Sequence, residues 1–384
     1  MTPYKTLDEV DVSGLSVLVR SDLNVPIDDG AIADDFRIRA ALPTLERLVD
    51  AGAKVTVCSH LGRPERAEPA FSLRPVAARM GELTSRRVAF AGEGEGQITV
   101  MENTRFDPGE VKNDPATAER LAAGVDLFVE DAFGSVHRAH ASTVGVAERV
   151  RSLAGPLLDA ELKALGRLLD EPARPYAIVL GGAKVSDKLA VIENLLPKAD
   201  VILIGGGMCF TLLAAKGLEV GSSLVEPDMI EQVRGLVEGP HGEKLILPVD
   251  VVVADAFEAT AASRLVNVRE IPPGVMGLDI GHDTGSMFAG VIRDSDTIFW
   301  NGPMGVFEWE QFRKGTEIVA RAMAETPGFT TVGGGDSVAA VRLLGLDNEI
   351  DHVSTGGGAG LELLEGKALP GVDVLARWVS GAVL

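Results

Sequence analysis

Tyr176-Ala177-Ile178-Val179-Leu180-Gly181-Gly182-Ala183-Lys184-Val185-Ser186-Asp187-Lys188, near the middle of the chain, joins an uninterrupted apolar run to two glycines and two lysines. An apolar strand that ends in paired glycines lets backbone come close to an anion, and a helix starting there would aim unpaired N–H groups at it. Lys184 and Lys188 are four apart, which on such a helix places both on one face, within reach of one polyphosphate. A strand-to-helix turn with two solvated lysines fits the same letters. The surrounding sequence has to decide.

Outward from this stretch, short β-branched runs alternate with amphipathic segments of helical length, the pattern of a parallel α/β architecture. In the first half each run ends in polar or cationic residues. Val17-Leu18-Val19 leads into Arg20-Ser21-Asp22-Leu23-Asn24, Val55-Thr56-Val57-Cys58 into Ser59-His60-Leu61-Gly62-Arg63, Ile98-Thr99-Val100 into Glu102-Asn103-Thr104-Arg105, and Leu127-Phe128-Val129 into Asp131 to Arg138. In the second half the runs end in glycine: Gly205-Gly206-Gly207, Asn301-Gly302-Pro303, Gly333-Gly334-Gly335-Asp336 and Gly356-Gly357-Gly358. Open parallel sheets bind ligands just beyond the carboxyl ends of their strands. One half thus presents cations and the other backbone, as for a small anionic substrate and a nucleotide on two separate sheets. Leu157, Leu158, Leu162, Leu165, Leu168 and Leu169 recur at helical spacing between Pro156 and Pro172, which reads as an interdomain helix or as a core helix of the second domain.

Composition narrows the class. The chain has 384 residues, 46% hydrophobic and 24% charged, enough for two domains with their own cores. A formal net charge of −20 argues against a nucleic-acid or anionic-membrane surface, so an anionic ligand must be met by local clusters. Cys58 and Cys209 each adjoin an apolar run, as small buried residues of a reducing compartment do. The first residues lack a basic and apolar leader and no long apolar run follows, so the expected location is cytoplasmic. Neither G-x-x-x-x-G-K-[ST] nor G-x-G-x-x-G occurs, and Cys and His show no zinc spacing. Gly92-Glu93-Gly94-Glu95-Gly96 reads as a surface turn.

Taken together, Arg20 to Pro26, Ser59 to Pro64, Asp131 to His140, the opening stretch, Trp300 to Glu308, Gly333 to Ser337 and Ser354 to Gly358 resemble the phosphoglycerate kinase family, in family order from about residue 15 to residue 373. Thr104 stands where the family usually has leucine, the segment before Glu102 is short, and the tail from Leu375 to Leu384 does not align. The resemblance implies two Rossmann-like α/β domains with mostly parallel sheets, joined by an interdomain helix and hinge. Residues 1–155 would bind phosphoglycerate, with the tail 374–384 packed on them, 156–171 would form the helix, and 172–373 would bind nucleotide. It implies phosphoryl exchange between 1,3-bisphosphoglycerate and ADP, yielding 3-phosphoglycerate and ATP in glycolysis, by a monomer and with Mg²⁺ arriving on the nucleotide.

By the same resemblance, Asp22, Asn24, Arg37, His60, Arg63, Arg105 and Arg138 hold the phosphoglycerate, and guanidinium forks do suit a ligand with both phosphate and carboxylate. An isolated arginine of this kind would more simply be an exposed ion-pair partner. The nucleotide falls to Gly181, Lys188, Gly205, Gly277, Asn301, Glu308, Gly334, Gly335, Asp336 and Ser337, with Glu308 on the ribose, room for adenine at Gly205 and Gly277, and Asp336 on Mg²⁺. Arg37 and Lys184, assisted by backbone N–H groups at Gly335 and Gly358, would neutralise the transferring group, with a helix Leu361 to Gly366 following the last glycines. The substrate carboxylate is already ionised at neutral pH, so direct in-line transfer requires no general base. A doubly wound dehydrogenase would share the glycine-rich strand ends but needs the missing fingerprint. A silent anion-binding scaffold would be expected to have lost phosphate contacts, and Lys184, Lys188, Asp336 and the cations are all present.

Overall fold

The computed structural model describes residues 3–28 and 30–379. The chain divides into two compact units, one comprising the residues up to Lys163 together with those from Ala368, the other Ala164–Lys367.

In the first unit β1 (Ser16–Arg20), β2 (Lys54–Cys58), β3 (Val88–Phe90), β4 (Ile98–Val100), β5 (Leu127–Glu130) and β6 (Ser152–Ala154) form a sheet in the order β3-β4-β2-β1-β5-β6. Every pairing is parallel. Val17, Leu18 and Val19 are all buried, as expected where helices cover both faces of a sheet. The connection leaving β1 runs to one side and that leaving β5 to the other, so the sheet's switch point lies between them, where ligands of such sheets bind.

The second unit repeats the logic. Its strands β7 (Tyr176–Leu180), β8 (Val201–Ile204), β9 (Leu245–Ile246), β13 (Thr297–Asn301), β14 (Phe329–Gly333) and β15 (His352–Val353) are ordered β9-β8-β7-β13-β14-β15, again wholly parallel. Here the switch point falls between β7 and β13, both fully buried, so the loops beginning at Gly181 and Gly302 emerge side by side. Both sheets match the two parallel α/β layers expected from the alternating runs.

A small antiparallel sheet, β11 (Ser263–Asn267), β10 (Asp250–Ala254) and β12 (Met276–Ile280) in that order, has no counterpart in the sequence reading. Four of the five residues of β11 are exposed, so it carries no apolar alternation to betray it. Asp250 opens β10 and caps the helix His282–Arg293, its carboxylate accepting from the Thr284 N–H at 2.8 Å and the Asp283 N–H at 3.1 Å.

The leucine-rich helix spans Pro156–Leu169, with Leu158, Leu162, Leu165 and Leu168 buried. Its start is fixed from the first sheet, where Asp131 Oδ1 accepts from the N–H groups of Leu157 (2.7 Å) and Leu158 (3.3 Å). Beyond Ala368 the chain forms two short turns, Pro370–Asp373 and Val374–Trp378. The Gly371 N–H donates to the Val136 carbonyl and the Trp378 indole to the Ala147 carbonyl, each at 2.9 Å. The remainder of the expected tail, 380–384, lies outside the described residues. Cys58 and Cys209 are buried free thiols. No helix among the described residues is long and apolar enough to cross a membrane.

Candidate active site

At the switch point of the first sheet, the loop after β1 turns Asp22 and Asn24 toward the first turn of the helix Phe36–Asp50. Arg37 Nη1 donates to Asp22 Oδ1 at 2.7 Å and to the Asn24 carbonyl at 3.3 Å. The loop after β2 is held by its Gly62 backbone. Gly62 N–H donates to Asn24 Oδ1 (2.8 Å), and its carbonyl accepts from Arg105 Nη1 (2.5 Å). Asn103 fastens the same loop through donations to the Leu61 and Phe71 carbonyls.

Of the cations here, among the described residues, only Arg37 is paired with a carboxylate, that of Asp22. Among the described residues, Arg63, Arg105 and Arg138 have no carboxylate at ion-pair distance. Arg138 Nε donates instead to His137 Nε2 at 2.9 Å. Burial lowers the pKa of Arg105, and the neighbouring charges of Arg20, Arg63 and Arg138 add to this against the pull of Glu110. Burial likewise holds His60 at about 2, reinforced by Arg20, Arg105 and Arg37, and His140 at about 4. Mutually repelling guanidiniums in a half-buried cluster are stabilised when a polyanion enters.

Arg20 is the residue that motif reading left without a role. It is 1% exposed, and its guanidinium contacts Ser21, Ser59, His60, Ser135 and Ser142. A charged residue closing the buried apolar run Val17–Val19 was the available signal, since a cation is almost never buried there without partners. Beside it, Glu130 is fully buried, accepts from the Ala132 N–H at 3.0 Å, and is pushed up to about 8 by burial although Arg20 pulls the other way. A carboxyl raised above its ordinary value adds stability that is complete at acid pH below that ordinary value and is lost as pH climbs through the folded-state value. Glu130→Gln should therefore flatten the decline in unfolding free energy between about pH 5 and pH 8 by on the order of a few kcal/mol. His60 acts oppositely, its depressed pKa costing stability below its ordinary value, so urea titrations of the variant against the parent isolate Glu130. Parallel curves would remove this account of Glu130.

In the second unit three loop backbones interlock at the switch point. Gly181 N–H donates to the Asn301 carbonyl (3.0 Å), Gly182 N–H to that of Pro303 (2.9 Å), Gly206 N–H to that of Met304 (3.1 Å), and Met208 N–H to that of Gly182 (3.0 Å). Ser337 Oγ accepts from the Gly302 N–H at 2.5 Å, tying in the helix Gly335–Leu343. Lys188 Nζ donates to Asn301 Oδ1. Burial lowers the pKa of Lys188, while Asp187, Asp336 and Glu365 oppose the shift.

Several expectations change here. The helix after the paired glycines begins only at Leu189, so Lys184 and Lys188 do not share a helical face. The Ser186 N–H (3.1 Å) and hydroxyl (2.6 Å) both donate to Glu226, which holds residues 184–188 in a braced turn. Lys184 is exposed in that turn, whereas Lys188 is half-buried. The last glycine-rich helix runs Gly358–Leu364 rather than Leu361 to Gly366, starting directly at the glycines. Asp336 lies inside the first turn of its helix and is exposed, with Gly334 preceding it as the cap residue. The space a β-carbon would take at Gly205 holds the Met304 sulfur, and at Gly277 the Phe210 ring. Glu308 is exposed.

Asp336 is the one carboxylate that the expected metal contact requires. Among the described residues no group of three or more His, Cys, Asp or Glu could hold a metal ion. A single exposed carboxylate suits Mg²⁺ delivered with phosphate oxygens, which supplies charge neutralisation without a protein cage.

Known proteins with this arrangement agree with one another. The family model described as phosphoglycerate kinase matches residues 7–367. The phosphoglycerate kinase of Salinispora tropica is 55% identical over 395 residues, covering 97% of this chain and 99% of its own. That of Deinococcus radiodurans is 50% identical over 392 residues, covering 98% and 95%. The solved structure of phosphoglycerate kinase from Coxiella burnetii superposes with a TM-score of 0.90 at 40% identity, over 98% of this chain and 99% of that one. Its counterpart from Pyrococcus horikoshii gives 0.85 at 30% identity, over 98% and 100%. Motif order, sheet order and likeness along nearly the whole length converge on one conclusion, that this chain belongs to the phosphoglycerate kinase family.

Proposed function

We propose how the chain's own residues divide the work of the family's reaction, the reversible phosphoryl transfer between 1,3-bisphosphoglycerate and ADP that gives 3-phosphoglycerate and ATP in glycolysis. The observation that carries the reading is the cluster of Arg63 and Arg138 about Arg105, which also neighbours His60, with no carboxylate at ion-pair distance from the three guanidiniums among the described residues. Arg37, His60, Arg63, Arg105 and Arg138 bind the phosphate and carboxylate of phosphoglycerate, while Asp22 and Asn24 take its hydroxyl. Lys188, Asn301 and the loops at Gly181, Gly205 and Gly334 to Ser337 receive the nucleotide, Gly277 borders the base, and Glu308 takes the ribose. Asp336 holds Mg²⁺, whose charge neutralises phosphate oxygens when bound. With a carboxylate nucleophile already ionised, catalysis reduces to alignment and charge stabilisation, by Arg37, Lys184 and the N–H groups of Gly335 and Gly358. Ligands held on two units must be brought together, so both together should contract the scattering profile. Action as a cytoplasmic monomer, without nucleic acid or membrane, completes the reading.

A coupled assay with 3-phosphoglycerate and Mg-ATP tests the activity, and no turnover would end the proposal. Two lysine variants test the division of labour. Lys184 is exposed, so Lys184→Ala should leave the loops in place and lower turnover about 10²–10³-fold with little change in nucleotide KM. Lys188→Ala should raise the nucleotide KM, because it removes a donor already aimed by Asn301. Identical kinetic signatures in the two variants would contradict the split.

A further inference from the structure

The Arg20 guanidinium has five N–H donors, and each meets a different acceptor. Nε donates to Ser142 Oγ (3.1 Å), Nη1 to the Ser21 carbonyl (2.5 Å) and to Ser59 Oγ (3.4 Å), and Nη2 to Ser135 Oγ (3.2 Å) and to His60 Nδ1 (2.9 Å). A guanidinium neither accepts a hydrogen bond nor gives up its proton in a protein. His60 Nδ1 must therefore be the acceptor, and the ring's one proton sits on Nε2.

We propose that Arg20 is a positioning residue that locks His60 as the neutral Nε2–H tautomer, so that the substrate meets one aimed N–H donor and not an imidazolium charge. The functional half of this statement rests on His60 binding phosphoglycerate, as argued above. Arg20 is itself anchored from several elements. Ser142 passes its hydroxyl on to Glu110 Oε1 at 2.6 Å, and its N–H donates to Glu110 Oε2 at 3.0 Å. Glu110 is fully buried. The counter-charge of Arg20 thus stands one serine away, which leaves the Nη2 donor to His60 uncontested. Arg20, Arg105 and Arg37 stand close to the ring, and each disfavours a second proton on it. A fixed neutral donor also keeps the site's charge constant while the arginines carry the anion.

The full-length protein, labelled with ¹⁵N at histidine, tests this directly. His60 is assigned by the signal missing from His60→Gln. Free protein should show Nε2 protonated and Nδ1 unprotonated, unchanged between about pH 5 and pH 8. An Nδ1–H tautomer, or an imidazolium in that range, overturns the proposal. Adding 3-phosphoglycerate alone should shift the Nε2–H signal. A tautomer as expected with no response to ligand would instead remove His60 from substrate binding and the functional half with it. Glutamine carries an amide donor at the ε position and asparagine only at the δ position. His60→Asn should therefore raise KM for 3-phosphoglycerate about tenfold more than His60→Gln, the worth of one hydrogen bond. Equal values would overturn the assignment of the donor, and this comparison leaves Arg20 and its buried partners untouched.

Discussion

Replacing Arg37 with alanine should lower kcat by about 10²–10³-fold, a larger loss than its effect on KM for 3-phosphoglycerate. Arg37 sits in the first turn of the helix Phe36–Asp50, where its guanidinium spans Asp22 and the Asn24 carbonyl. The fork is only about one-third exposed and its partner Asp22 less so, with side-chain values of 33% and 14%. This ion pair is thus oriented before substrate arrives, and preorganised charge is what a phosphoryl transition state rewards. Deleting the arginine also leaves Asp22 with an uncompensated carboxylate facing the incoming anion, so two unfavourable changes coincide. Arg37→Lys restores the charge without the planar fork and should recover only part of the rate. Full recovery would mean that charge alone matters, and an unchanged kcat in Arg37→Ala would remove Arg37 from catalysis.

The second large effect is on the nucleotide unit's integrity. Gly302→Ala should destabilise that unit by about 3 kcal/mol or more and abolish measurable nucleotide binding. Gly302 has φ +97°, a region side chains avoid, and a β-carbon there would run into the Gly181 carbonyl. The obstacle is backbone on both sides, so no rotamer change relieves it. Moving Gly302 would detach its N–H from Ser337 and separate the Gly181 and Asn301 loops, with Lys188 losing the acceptor that aims it. Gly290→Ala is a fair control, because nothing lies near a β-carbon at that helical position and alanine favours a helix. Calorimetry that finds the two variants equally stable would refute the interlocked-loop account.

The features legible in the sequence were those with strong local signatures. Val17 to Val19 and Tyr176 to Leu180 announce buried parallel strands because both faces are covered, and the glycine and arginine stretches after them mark the ligand edge. Less visible was anything decided by partners far along the chain. Residues 184–188 read as a helix start because Glu226, some forty positions onward, is what diverts Ser186 from helical bonding. Arg20 could not be placed because its acceptors, Ser59, Ser135 and Ser142, lie on three later segments. The antiparallel strand Ser263–Asn267 lacks an apolar face and so leaves no periodic trace.

The first unit is discontinuous in the chain, and that has a consequence for biogenesis. The second unit is drawn from one unbroken stretch, Ala164–Lys367, so all of it leaves the ribosome before the first unit has received its final segment. That late segment is not peripheral. Gly371 donates to the carbonyl of Val136, two residues from Arg138, and a β-carbon at Gly371 would press on Val136 itself. The loop that carries Arg138, one of the arginines proposed to hold the substrate, therefore gains its backing only when translation has passed residue 371, making the earlier-born half of the proposed site the later one to mature.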